Sequence, residues 1–401
     1  MPTLYNVQMF GHLSEGSTNA LLQSRRKSPC HIFDSKPVGT ELMTERNACE
    51  ISWFAALCDD DYEFLGVPDR ALQSTWEHCR NLVLGAEKSG FDNILLPSGY
   101  ALGVDTTAFA AAVATVTRRI HLLMAVRIGE MWPPQLARQI ATLDQISGGR
   151  LTVNIISSDM PGETLASPQR YRRTSEAMVI LKRLLRGQAV DHQGEFWQLK
   201  VDPPRVAAAA ARCPPFYFGG LSEDARQTAA AGCDVYLMWP DTMPNIKAVI
   251  ADLKERAARC DRRLRFGYRV HVVVRETEAL ARVAALRLLS RLDADTGAAI
   301  RARSLDANSK GVQQQTALRE GAGADGYVEE NLWTGIGRAR SGCGAAIVGD
   351  PDQVLAKLNA YQALGIEAFI LSGYPHASEC DLFGRYVLPR LAHGPLSVTT
   401  D

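Results

Sequence analysis

The sequence predicts an α/β fold, a closed (β/α)8 TIM barrel with insertions, and three observations predict it. About eight short apolar segments recur along the chain, as parallel strands covered on both faces require. Amphipathic helical stretches separate them, and roughly 350 residues of such alternation suit one barrel domain. An open doubly wound sheet would announce itself with an early Gly-rich strand–turn–helix fingerprint, and none is present.

Residues 1–50 are polar, contain Gly and Ser, and lack periodicity, so they read as a loosely ordered leader. Met43, just before the first strand, is a candidate native start. Residues 51–401 read as the barrel domain. The expected strands are "ISWFAAL" (51–57), "NILLP" (93–97), "HLLMAVR" (121–127), "LTVNIIS" (151–157), "FYFGG" (216–220), "DVYLMWP" (234–240), "RFGYRVHVVV" (265–274) and "AFILSGYP" (368–375). Prolines open a helix over 133–146, and "SGG" stops it. A second helix pattern over 351–364 stops at Gly365. Two intervals exceed ordinary connections. Residues 187–215 read as an excursion on the rim, and 294–342, rich in Gly, Ala, Gln and Arg, as a mobile lid.

Composition excludes several classes. The formal net charge is zero, which argues against a nucleic-acid binder. No apolar run approaches the roughly 18–20 residues that span a bilayer, so no membrane association is expected. The N-terminus lacks a secretory layout. Nine cysteines without a CxxC pair read as reduced thiols in a cytoplasm. Eight histidines form no HExxH motif, so no metal site is expected.

Arg269 and His271 lie two apart in an apolar strand and therefore share a face with Gly267. Inside a barrel such groups must be neutralised or meet a ligand. Sites form at the C-terminal ends of barrel strands. Polar residues at such ends include Cys58 and Asp59 with Trp53, then Asn154, Ser157 and Ser158, then Trp239, then Tyr374 and His376. "YFGGLSEDA" (217–225) supplies Gly219, Gly220, Leu221 and Ser222 before a helix. It reads as a phosphate seat or, as readily, as an ordinary N-cap. Arg170 and Tyr171 begin a helix, where Arg172 and Arg173 read as solvated charge.

Several stretches together, "QIATLDQISGGR", "PPFYFGGLSEDA", "FGYRVHVVVRET", "NLWTGIGRARSGCGAAIVGD" and "FILSGYPH", resemble the bacterial luciferase-like flavin-dependent monooxygenases. The likeness is greatest to the alkanesulfonate branch and spans residues 51 to 394. It implies a two-component enzyme. An NAD(P)H-dependent flavin reductase would supply FMN as FMNH2, which reacts with O2 to give a flavin peroxide that oxygenates a small organosulfur substrate. An alkanesulfonate would yield aldehyde and sulfite; C–N cleavage of a larger molecule is the alternative, and a non-catalytic flavin-binding protein a remoter one. By the same resemblance Arg269, His271, Tyr374 and Arg340 are catalytic. Asn154, Ser157, Arg170, Tyr171 and Gly219 to Ser222 face the flavin. Cys58, Leu102, Arg127 and Trp239 line the substrate pocket. Cys58 stands where the sulfonate branch has a histidine and Leu102 where it has a cysteine. A homodimer or homotetramer is also implied.

Overall fold

The computed structural model describes residues 48–396 except 102, 164 and 303–308. Its strands are β1 (Glu50–Phe54), β2 (Asn93–Leu96), β3 (His121–Arg127), β4 (Leu151–Ile156), β5 (Val190–Gln193), β6 (Gln198–Val201), β7 (Phe216–Gly219), β8 (Val235–Met238), β9 (Arg265–Val274), β10 (Tyr327–Glu329), β11 (Leu332–Trp333), β12 (Ala346–Gly349) and β13 (Ala368–Ser372). Eight of them pair in parallel in the order β1-β2-β3-β4-β7-β8-β9-β13, and β13 returns to β1. This is the closed barrel expected from the sequence, and each expected strand contributes one stave.

Alternation sorts the side chains into two layers. Phe54, Leu95, Leu123, Tyr217, Val235 and Ile370 point inward and fill the ring. At its N-terminal floor Glu50 is buried and accepts hydrogen bonds from the Tyr217 hydroxyl (2.9 Å), Ser52 Oγ and Asn93 Nδ2. Trp53 has the opposite parity. It packs outward on Phe91 and Phe383 (5.2 and 6.4 Å between rings), so it belongs to the strand–helix layer and not to the barrel mouth. The expected leader ends earlier than residue 50. Cys49 already pairs with His393, and Glu50 begins β1. Met43 lies outside the described residues.

Helix ends follow local chemistry. The helix Pro133–Ser147 opens on prolines and ends at Gly148 in the left-handed region (φ 69°). The helix Pro351–Ala363 opens on a capping box between Asp350 and Gln353. Residues 187–215 form the antiparallel hairpin β5–β6 and a short helix; the hairpin turn donates backbone N–H groups to Glu176 on the helix Ser167–Leu185. The second insertion folds into the helices Ala294–Ala302 and Lys310–Glu320 and then β10 and β11. It re-enters the sheet through β12.

That re-entry positions the site. The lower half of β9 pairs with β8 (Tyr268 opposite Met238), whereas its upper half pairs with β12 (His271 opposite Ala346). The ring therefore splits just above Tyr268, on the stretch that bears Arg269 and His271. A buried ion pair fastens the top of β9 to the last helix: Arg275 donates to both carboxylate oxygens of Glu379 (3.0 and 2.6 Å), which is only 2% exposed. No described helix is long and apolar enough to cross a membrane.

Arg275→Met strands the Glu379 carboxylate in the interior. Loss of one partner of such a pair costs about 3–5 kcal/mol. Urea unfolding should show this loss, and it should shrink toward about pH 5, where a buried carboxyl left alone is protonated.

Candidate functional site

The cluster at the mouth of the barrel is built around the Phe54 ring at the end of β1. The Arg269 guanidinium lies 4.4 Å from its centroid, that of Arg340 5.5 Å, and the His376 imidazole stacks on it at 5.6 Å. Arg340 arrives from the second insertion. Its Nη1 donates to Asp60 Oδ2 (2.9 Å) and to the Tyr374 hydroxyl (2.7 Å). The Tyr374 ring in turn stacks on His271 (5.1 Å) and meets His376 edge-on (5.1 Å). The four residues expected to be catalytic, Arg269, His271, Arg340 and Tyr374, thus converge.

Their partners differ. Arg269 Nη1 donates to the carbonyls of Val270 and Ile370, whereas Nη2 is buried with no hydrogen-bond partner among the described residues. His271 is committed on both sides. Nε2 lies 3.2 Å from the carbonyl of Cys343, which can only accept, so Nε2 carries the hydrogen and Nδ1 accepts from the Ser372 hydroxyl at 2.7 Å. A proton transfer through His271 requires one of these bonds to open. His376 is fully buried, and neither of its ring nitrogens has a partner among the described residues. Its backbone N–H is fixed by Asp61, which also binds His78.

The charge balance is uneven. Arg269 and Arg340 are both cationic, and Asp60 offsets one of them. Burial lowers the Arg269 pKa, with Arg340 acting in the same direction. Burial opposes the charge on Arg340 too, but Tyr374 and Asp60 outweigh it. Burial raises the Tyr374 hydroxyl and pushes the Cys58 thiol up to about 12, so both stay protonated at neutral pH. Among the described residues Asp60 is the only carboxylate paired with either guanidinium, and Arg269 Nη2 is left for a ligand to match.

The remaining expected residues take several places. Cys58, half-buried, follows β1, and the β2 loop closes on it where Val104 N donates to Leu57 O. Leu102, on that loop, lies outside the described residues. Arg127 is buried and ties three strand-end loops together through Glu130 Oε1 and the carbonyls of Ser98 and Asp159. Trp239 packs beneath the second insertion, against Gly311 and Gly342.

Asn154 points inward on β4, opposite Tyr217. Ser157 Oγ and Arg170 Nε are buried without partners among the described residues, and Arg170 Nη1 holds Asp159 (2.6 Å). Gly219 and Gly220 lead into the helix Glu223–Gly232, which Ser222 caps by accepting from Ala225 N. Gly220 has φ 152°, and a Cβ there would come within 2.7 Å of Ala225 Cβ and 3.1 Å of the Tyr171 hydroxyl oxygen. Leu221 is half-buried. Arg172 is exposed as expected; Arg173 is buried and paired with Glu163 at 2.7 Å, because the helix turns it inward.

Sequence reasoning missed Phe54, Asp60, Ser372 and the Cys343 carbonyl. Phe54 looks like any apolar strand residue. Asp60 sits in "DDD", which reads as a solvated loop. Only Ser372, sharing strand parity with Tyr374, carried a usable signal.

The model of the luciferase-like monooxygenase family matches residues 64–368. A sulfoquinovose monooxygenase of Novosphingobium aromaticivorans is 69% identical over 363 residues, covering 89% of this chain and 100% of that one. A sulfoquinovose monooxygenase of Agrobacterium fabrum is 51% identical over 348 residues, covering 86% and 90%. Among solved structures, riboflavin lyase with modified FMN and riboflavin superposes with a TM-score of 0.70 at 17% identity, covering 88% of this chain and 94% of that one. That last likeness concerns the fold alone.

Burial drives His271 well below the usual histidine value, helped by Arg269 and Arg340. Burial also lowers His376, against the opposing pull of Asp61 and Asp60. Both imidazoles are therefore neutral in the fold, while an unfolded chain protonates them below about pH 6.5. The unfolded state then binds more protons, and stability is lost on acidification below about pH 6.5, by at most about 1.4 kcal/mol per pH unit for each histidine. Urea midpoints between about pH 8 and about pH 5 should fall accordingly, and His376→Phe should flatten part of the slope.

Proposed function

Because the chain belongs to the luciferase-like monooxygenase family, a family of flavin-using monooxygenases, we propose that it oxygenates a sulfonated sugar and releases sulfite by C–S cleavage. Reduced FMN would come from a separate NAD(P)H-dependent reductase in the cytoplasm. The observation that carries the substrate reading is the pair of guanidiniums at Phe54, with Arg269 Nη2 buried and unpartnered among the described residues. A fork of donors suits a sulfonate oxygen. Identity to two sulfoquinovose monooxygenases supports a sulfonated sugar in place of the simple alkanesulfonate expected from the sequence. The departures at Cys58 and Leu102 from the alkanesulfonate pattern agree with that change.

The residues present fit a phosphate-bearing cofactor. Ser157 Oγ and Arg170 Nε are buried polar atoms without a partner among the described residues, and the glycine pair, where a Cβ would collide with Leu237 O and Ala225 Cβ, lets the backbone turn tightly into a helix N-terminus. Ser157, Arg170, Tyr171 and Gly219 to Ser222 would hold the FMN phosphate and ribityl end, with Asn154 nearer the ring. Reduced flavin, when bound, supplies the activation of dioxygen.

The protein's part is then binding, orientation and exclusion of water. Arg269 and Arg340 fix the sulfonate. Asp60 and Tyr374 aim Arg340. His271 orients the segment bearing Cys343 and supports the Tyr374 ring, whose hydroxyl holds its proton within reach of the anion site. Phe54 and the rings of Tyr374 and His376 keep the pocket dry. In the net reaction, one atom of O2 would go to the carbon that bore the sulfonate and the other to water, the reduced flavin giving up two electrons and two protons, while the C–S bond breaks to leave an aldehyde and sulfite.

With a flavin reductase, NADH and FMN, the purified chain should release sulfite from sulfoquinovose; no sulfite overturns the reading. Arg269→Met should lower kcat/KM by roughly ten- to a hundred-fold, as loss of a charged hydrogen bond does. Gly220→Ala should weaken FMN binding by about ten-fold or more in a fluorescence titration, since the new methyl collides with Ala225 Cβ and displaces the turn ahead of the helix.

A further inference from the structure

The tally of donors and acceptors at the barrel mouth goes further, and it rests on the sulfonated-sugar reading above. Four buried polar atoms there lack a hydrogen-bond partner among the described residues: Arg269 Nη2, Asp60 Oδ1 and both ring nitrogens of His376. They are linked through a few contacts. Arg269 and His376 both lie against Phe54, and Asp60 is joined to Arg340, which lies against the same ring. A guanidinium only donates, a carboxylate only accepts, and a neutral imidazole offers one of each.

The site therefore asks for two kinds of group at once. Arg269 needs an acceptor, which a sulfonate supplies. Asp60 Oδ1 needs a donor, which a sulfonate lacks. An alkyl chain lacks one too, and it would leave this oxygen desolvated and unmatched, an unfavourable state for a buried carboxylate. A ring hydroxyl both accepts and donates, so it can satisfy Asp60 and one nitrogen of His376.

We propose that Asp60 is the specificity-determining residue for the polyol part of the substrate: its free Oδ1 accepts a ring hydroxyl while Oδ2 holds Arg340 toward the sulfonate. One carboxylate then couples recognition of the sugar to placement of the cation. A simple alkanesulfonate engages the cations and forfeits the second contact.

The test compares sulfoquinovose with analogues that each lack one ring hydroxyl, in the parent, Asp60→Ala and the isosteric Asp60→Asn. The readouts are kcat/KM for sulfite release and, for variants that turn over slowly, calorimetric affinity in the presence of FMN. Circular dichroism melting reports folding. In the parent, one analogue should be worse than sulfoquinovose by roughly ten- to a hundred-fold. In Asp60→Ala that ratio should collapse to about two-fold or less, and in Asp60→Asn it should shrink. FMN affinity should stay the same in both variants. A penalty that survives intact in Asp60→Ala overturns the proposal, as does a parent indifferent to every ring hydroxyl. An equal fall in FMN affinity also overturns it, by assigning Oδ1 to the cofactor. Failure of the parent to release sulfite from sulfoquinovose would instead strike the substrate reading, and this inference with it.

Discussion

Two guanidiniums lie against the Phe54 ring while only one of them, Arg340, is paired with a carboxylate among the described residues, and the rest of the mouth is organised around that imbalance. Arg269 stands on a barrel strand and cannot withdraw, because its Nη1 is anchored to two strand carbonyls. Arg340 is carried by an insertion and is held by Asp60 and Tyr374. Such an arrangement is unfavourable without an anion, since desolvated like charges repel. The Phe54 face softens the cost through cation–π contact but does not cancel a charge. The β9–β13 ladder holds the strand that carries Arg269 along one flank, and the Glu379–Arg275 pair holds its top.

Much of the fold was legible because a barrel writes itself in a repeated pattern. Every ring strand was readable as a short apolar run, and most boundaries fell within two residues. The end of β1 was overestimated: apolar residues continue through Leu57, but the chain leaves the ladder after Phe54. Apolar character marks burial and not pairing. The same limit explains Trp53, which was grouped with strand-end polar residues although its parity sends it outward.

The site was legible where chemistry contradicts its surroundings. A cation and an imidazole in an apolar strand are conspicuous, and Arg269, His271, Arg340 and Tyr374 do meet. What the sequence could not convey is who pairs with whom. The commitment of both His271 nitrogens depends on a carbonyl 72 positions away and a hydroxyl 101 positions away. Asp60 was hidden for the reverse reason, as one acid among three in a loop. Its bond to Arg340 comes from an insertion that reaches it from 280 residues further along.

The division of β9 between two neighbours has its own consequence. β12, which follows the second insertion, is knitted by main-chain bonds into β9, the stave that carries Arg269 and His271. Roof and wall are thus one piece of fabric at that seam.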